Sequence, residues 1–424
     1  MSRPGVDPAR LAAYRVLRRV GATDAYANLA LAAETQRLSP RDAGFATELC
    51  FGTCRGLGTY DAILEAAAGR PVARLDPPVL DVLRLGAHQL LGMRVPSHAA
   101  VSSSVDLAAG EVGRRVTGLV NAVLRKVAAR DLAGWVELLS AGLDEPGALA
   151  LATQHPRWIV EAWRESLGDR AGSELREALL ADNAAPTNHL VVRPGLADVD
   201  ELGGEPARYS PFGAYVPGAP GAVAAVGQGR AGVQDEGSQL VALALSRVPS
   251  VAGPWLDLCA GPGGKAALLA GLARGEGERL VASELQPHRA RLVAANLAAY
   301  PEPHRPVAIV ADGTRPAWAP GSFARVMADV PCSGLGALRR RPESRWRRRP
   351  DDLPELVALQ HRLLAGAIAA ARPGGVVAYV TCSPHPAETR EVVAAAAGVE
   401  LLDAEEFLPE VSDAAAGDFV QLWP

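Results

Sequence analysis

The sequence comprises 424 residues, 49% of them hydrophobic, with a formal net charge of -4. That length is too great for one ordinary core and points to two or three globular domains. The opening Met1-Ser-Arg-Pro-Gly-Val-Asp-Pro has no apolar centre, and no later stretch offers roughly 18 uninterrupted apolar residues, so neither a secretory leader nor a membrane span is expected. A soluble, cytoplasmic protein with no membrane partner is expected. Five cysteines, at 50, 54, 259, 332 and 382, are odd in number and lack paired ligand spacing, so neither a disulfide framework nor a metal site is expected.

From Arg10 to about Arg130 the apolar residues recur at helical spacing, as in Leu11, Tyr14, Leu17 and Val20 and again in Val79, Val82, Leu83, Leu90 and Leu91. This predicts an all-helical domain over 1–138. Ser39-Pro-Arg-Asp and Asp76-Pro-Pro-Val each set a capping side chain before prolines that suit a first helical turn. Cys50 and Cys54 are expected inside a helix as small buried side chains. Residues 1–130 hold 17 Lys/Arg against 11 Asp/Glu in a chain that is acidic as a whole, which suggests an acidic partner for this part. Over 139–235 short apolar pieces broken by Gly and Pro read as a small α+β connecting module.

From 236 to 424 helix and strand signals alternate. Strands are predicted at 255–259, 280–283, 307–310, 326–330 and 376–380, with helices such as 287–300 and 353–372 between them. The pattern implies a parallel sheet covered on both faces, with ligands gathered at the carboxyl ends of its strands. The first strand runs into Trp255-Leu-Asp-Leu-Cys-Ala-Gly-Pro-Gly-Gly-Lys265, where glycines at 261, 263 and 264 permit a tight turn and close approach of backbone to a ligand. The spacing satisfies the dinucleotide pattern, with Glu284 about 20 residues on. A phosphate-cradling P-loop is excluded by Cys259 and Ala266. Lys265 is one of only two lysines, Lys126 being the other, among 43 basic residues, which hints at a need for a compact ammonium. The remaining strand ends carry Asp312, Asp329-Val-Pro-Cys332-Ser-Gly and Thr381-Cys382-Ser383, so two thiols are expected to face one pocket beside the glycine turn.

Three stretches, Ala9-Arg-Leu-Ala-Ala-Tyr-Arg-Val-Leu, Arg41-Asp-Ala-Gly-Phe-Ala-Thr-Glu-Leu and Gly118-Leu-Val-Asn-Ala-Val-Leu-Arg-Lys126, resemble the NusB-like RNA-binding helical domain. The motifs Asp257-Leu-Cys-Ala-Gly-Pro-Gly-Gly-Lys265, Asp329-Val-Pro-Cys-Ser-Gly334, Arg339-Arg-Arg-Pro-Glu, Gln360 and Thr381-Cys-Ser383 resemble the RNA cytosine-5 methyltransferases, most closely the small-subunit ribosomal RNA enzymes of the RsmB/Sun type. The resemblance covers nearly the whole chain. It implies a NusB-like helical domain, the connector, and a Rossmann-like methyltransferase domain using S-adenosylmethionine. It further implies Cys382 as nucleophile toward carbon 6 of cytosine, Cys332 in product release and Asp329 on the base. The cofactor would be held by Cys259, Ala260, Gly261, Pro262, Gly263, Gly264, Lys265, Glu284, Asp312 and Asp329. Small-subunit ribosomal RNA is the implied partner of a monomer, with phosphate contacts from Arg10, Arg15, Arg18, Arg19, Arg125 and Lys126. A second grip is expected from Arg339, Arg340 and Arg341 in a run of seven arginines over 339–349 that also holds Trp346.

The chain departs from the family pattern at Gly261, Ala266 and Glu388-Thr389, and stops at Gln421-Leu-Trp-Pro424 where relatives continue into a further strand, so a sheet short of one C-terminal strand is expected. Two other readings stand beside the methyltransferase. A nicotinamide-dependent dehydrogenase would use the glycine turn but leaves the thiols and the arginine run unexplained. A catalytically inactive RNA-binding or ribosome-assembly factor of the same fold is the other reading, which the helical domain and the missing C-terminal strand would suit.

Overall fold

The computed structural model describes residues 5–23 and 25–423, so Pro424 lies outside it. The chain forms two compact units, one of residues up to Ala184 with Leu335–Pro350, the other of Ala185–Gly334 with Asp351–Trp423. The stretch 139–235, expected as a connector, is divided at this boundary. Its helices Glu145–Thr153, Arg157–Leu167 and Ala171–Ala181 belong to the first unit and its strands to the second. Among the described residues no helix is long and apolar enough to cross a membrane.

The first unit is helical, as the periodicity requires. Its longest helix, Pro40–Ala68, starts where the Ser39 hydroxyl accepts the Asp42 N–H and ends at Gly69, whose φ of 70° favours glycine. Cys50 and Cys54 lie buried within it. Asp76 precedes the helix Pro77–Leu91 but makes no capping bond there. Leu49, Ile63 and Leu64 meet Leu83, Leu85 and Leu124 in a core that also takes Leu11, Val16 and Leu17 from the helix Pro8–Ala22.

Segment 335–350 corrects the reading of the arginine run as an RNA grip along its whole length. Arg345 is 0% exposed; it pairs with Asp182 and donates to Asn183 Oδ1 at 2.7 Å and to the Gln154 carbonyl at 2.8 Å. Asp182 Oδ2 also bonds His155 Nε2 at 3.2 Å, and burial, followed by the Arg345 charge, lowers the His155 pKa to about 4, so the imidazole is neutral. The Trp346 indole lies over Gly58, where a β-carbon would overlap it, and donates to the Arg55 carbonyl at 3.2 Å. Arg347 binds the Val20 and Ala25 carbonyls at 2.7 Å each, and Arg341 stacks on Tyr26 with 5.0 Å to the ring centre. These arginines satisfy carbonyls and a buried carboxylate, which a local reading of charge cannot foresee. Two N-terminal candidates are likewise engaged within the unit: Arg10 with Gln89 at 2.8 Å and over the Phe45 ring, Arg18 with Asp81 at 2.9 Å.

Among the described residues the second unit holds two sheets of four or more strands. The smaller is antiparallel, with strands in the order Glu205–Pro206, Gly213–Tyr215, His189–Val192 and Ala231–Val233. The larger is parallel, in the order Val307–Val310, Leu280–Glu284, Trp255–Asp257, Phe323–Asp329 and Ala371–Val380. All five predicted strands are present. The fourth and fifth begin earlier than expected, at Phe323 and Ala371, and the first ends two residues sooner, at Asp257. Among the described residues beyond 394 the strands are Ala415–Ala416 and Phe419–Val420, which pair with each other and not with the main sheet. The strand order reverses beside Trp255–Asp257, where a doubly wound sheet opens its ligand crevice.

Removing one partner of a buried ion pair strands the other charge, so Arg345→Ala should destabilise the protein by about 3–5 kcal/mol. Urea unfolding of the full chain measures this; a loss below about 1 kcal/mol would show that Asp182 has no need of the guanidinium.

Candidate active site

Every element of the site follows from where the parallel strands end. Leu256 and Asp257 pair with Val326 and Met327, which puts the glycine turn beside the Asp329 loop. The helix Gly264–Gly275 starts at once after the turn, with Gly263 at φ 112° as its cap. A β-carbon at Gly261 would overlap the Glu284 carboxylate, and one at Gly263 would lie 3.0 Å from Val293 Cα. These two glycines are therefore required by the protein's own close packing. Gly261 N–H donates to Glu284 Oε2 at 3.1 Å and Gln286 N–H to Oε1 at 2.9 Å, so backbone donors orient this carboxylate. Arg289, which no sequence motif marked, donates to the Gly261 carbonyl at 2.6 Å and lies 3.7 Å from Glu284. Asp312 accepts from the Thr314 N–H and hydroxyl at 2.9 and 2.7 Å, and those bonds lower its pKa.

The two candidate catalytic thiols meet. Cys332 Sγ and Cys382 Sγ are 3.3 Å apart, with Cys382 exposed and Cys332 half-buried. Lys265 Nζ donates to Asp329 Oδ2 at 2.9 Å. Burial opposes the Lys265 charge, but Asp329, with further pull from Cys382 and Asp257, more than offsets it and raises its pKa. The Cys332 thiol is pushed well above its ordinary value, first by its hydrogen bond with Cys382 and then by burial. The Cys259 thiol is also pushed up, by burial and then by Asp257.

Asp257 is 1% exposed and neither carboxylate oxygen has a well-formed hydrogen bond, although the Cys259 backbone tempers its charge. Burial, then the Asp329 charge, raises its pKa to about 7.

Residues 243–424 match the family model described as 16S rRNA methyltransferase RsmB/F, and residues 7–129 match the NusB family. The putative methyltransferase Rv1407 of Mycobacterium tuberculosis is 50% identical over 434 residues, which cover 99% of this chain and 94% of the relative. The ribosomal RNA small subunit methyltransferase B of Pseudomonas putida is 33% identical, over 91% of this chain and 88% of its own. The chain belongs to the RsmB/F family of ribosomal RNA methyltransferases. The crystal structure of PH0851 shares the fold, with a TM-score of 0.74 and 20% identity over 93% of this chain and 89% of that one.

The cofactor of this RsmB/F methyltransferase is S-adenosylmethionine, and the strand ends suit it. Glu284 and Asp312 present carboxylates there, Leu285 and Val310 expose apolar surface, and Asp257 is a buried carboxylate without a well-formed hydrogen bond, a set that fits a polar, cationic cofactor carrying a flat base.

A folded pKa raised above the unfolded value leaves stability present at low pH and lost as pH rises through the folded pKa. Between about pH 4 and pH 7 the native protein should therefore lose melting temperature relative to Asp257→Asn, with the gap constant above pH 8. A gap independent of pH, in parallel thermal melts, would show that Asp257 is ionised throughout.

Proposed function

We propose that this enzyme methylates carbon 5 of a cytosine in small-subunit ribosomal RNA through a temporary bond between Cys382 and carbon 6 of the base. The observation that carries this reading is the pair of sulfurs 3.3 Å apart beside the Lys265–Asp329 ion pair. Carbon 5 is a poor nucleophile until a thiolate has added at carbon 6 and made the ring an enamine. The bound S-adenosylmethionine supplies the electrophilic methyl group.

Cys382, the exposed sulfur, attracts the Lys265 ammonium and is suited to react as thiolate. Asp329 holds the ring nitrogen and exocyclic amine, with Lys265 fixing its carboxylate. Cys332, held as a thiol, assists expulsion of the Cys382 sulfur after methyl transfer. The glycine turn from Cys259 to Lys265, with Glu284 and Asp312, holds the cofactor. A base inside a helix cannot reach this rim, so the target is unpaired or flipped out. The exposed cations Arg15, Arg19, Arg125, Lys126 and Arg341, with half-buried Arg339 and Arg340, bind phosphate.

Cys382→Ala should abolish both methyl transfer and any covalent complex, whereas Cys332→Ala should accumulate enzyme joined to RNA. A denaturing gel with labelled RNA reads both. A trapped band from Cys382→Ala and none from Cys332→Ala would reverse the roles, and a complete lack of methyl transfer by the native chain would favour an RNA-binding assembly factor.

Glu284→Ala should weaken S-adenosylmethionine by roughly 1.5–3 kcal/mol, the scale of a hydrogen bond to a charged group. Calorimetry that found affinity unchanged would remove Glu284 from the cofactor site.

A further inference from the structure

We propose that Glu388 is the positioning residue that keeps the two active-site sulfurs different, by holding the Cys332 turn against Cys382 and by keeping Cys332 a hydrogen-bond donor. The proposal rests on the covalent mechanism above and adds a residue to it.

Glu388 follows the strand Ala371–Val380 in a short helical turn, Pro386–Glu388, and is 0% exposed. Its Oε1 accepts the Ser333 N–H at 2.8 Å and Gln360 Nε2 at 3.0 Å, while Oε2 takes the Ser333 hydroxyl. All three donors are neutral, and among the described residues no cation forms an ion pair with it. A carboxylate so buried is held by dipoles alone and projects its charge on its neighbours. Gln360 also donates to the Pro331 carbonyl at 2.9 Å, so the helix Leu353–Ala370 holds the turn directly before Cys332 and, through Glu388, after it at Ser333. The Tyr379 hydroxyl donates to the Glu388 carbonyl at 2.8 Å, and the Ser333 and Ser383 hydroxyls are bonded at 3.0 Å. Strand end, helix and turn thus converge on the residue next to Cys332 and fix the sulfur pair.

The charges around the two thiols are opposed. Cys332 is faced by Glu388 and Asp329, both acidic, and by the phenol of Tyr379. The Glu388 segment itself brings His385, Arg390 and Glu391. Cys382 lies within reach of the Lys265 charge. With one proton shared between the sulfurs, this asymmetry favours Cys332 as donor and Cys382 as acceptor across their 3.3 Å contact. In the reaction the Cys382 thiolate adds to carbon 6. After methyl transfer the carbon 5 proton passes to water, the carbon 6–sulfur bond breaks, and the electron pair returns to Cys382, where the Cys332 S–H receives it as a hydrogen bond. Without the acidic charge Cys332 ionises more readily and this donor is lost.

The test uses full-length Glu388→Gln, which keeps shape and the Ser333 N–H acceptor but removes the charge. In a Cys382→Ser background, the pH dependence of iodoacetamide alkylation at Cys332, read by mass spectrometry, should shift to lower pH by about one unit or more, the scale of a nearby charge. With Cys382 present, Glu388→Gln should slow turnover on the order of 100-fold and accumulate the covalent RNA band, with S-adenosylmethionine affinity unchanged. Ser333→Ala, which loosens the turn and keeps the charge, guards against misfolding of the first variant: it should raise the band with no alkylation shift. An alkylation profile that is the same with and without Glu388→Gln in the Cys382→Ser background would overturn the proposal, as would a normal rate and no band from both variants. A shifted profile with no band in any variant, Cys332→Ala included, would instead sink the covalent mechanism and leave the electrostatic role of Glu388 supported.

Discussion

The ion pair of Lys265 with Asp329 is the interaction on which the site depends. Asp257, Asp329 and Cys382 surround one ammonium: Lys265 tempers the rise that burial gives the Asp257 pKa, and the three groups together hold Lys265 charged against its own burial. The ammonium comes from the residue that ends the glycine turn, and the carboxylate from the end of the adjacent strand. Any slip of register between these strands would part them. Lysine suits the position because a compact ammonium reaches several anions in a confined space, where a planar guanidinium commits to one.

The helical unit shows the opposite use of positive charge. Its surplus of arginine pointed to an acidic ligand, yet several of those side chains cap carbonyls, stack on rings or balance buried carboxylates within the unit. An Arg stem also covers apolar surface while its head serves several acceptors, so one residue does what would otherwise take a core residue and a cap. The charge left for a polyanion is that of Arg15, Arg19, Arg125 and the other exposed cations, and it is smaller than composition suggests.

Much of this was legible in the sequence because it is local. Apolar runs of strand length set off by turns located all five strands, and glycine spacing located the turn, since both depend on neighbours a few residues apart. The meeting of Cys332 with Cys382 was legible because parallel strands present their ends on one side. Arg345 was not, because its partners Gln154, Asp182 and Asn183 lie far upstream and a run of seven arginines reads as a solvated or polyanion-facing loop. Glu388 was noted only beside Thr389, where the pair Glu388-Thr389 stands for the family's Glu-Asn; its role depends on Ser333 and Gln360, which come from other elements. Arg289 gave no signal, being one of many arginines in the chain and set outside the buried face of the helix Pro287–Leu297.

The path of segment 335–350 bears on how the protein is made. Arg345 and Asp182 are 163 positions apart, so the helical unit emerges from the ribosome with a buried carboxylate that has no counter-ion. At roughly 5–20 residues per second, it waits on the order of ten seconds for its arginine to be synthesised. Until then the pocket around Asp182 and His155 is incomplete, and the first unit reaches its final form only after most of the second has been translated. The order of synthesis and the order of completion therefore differ in this ribosomal RNA enzyme: the helices made first are finished only when the methyltransferase sheet is four strands along.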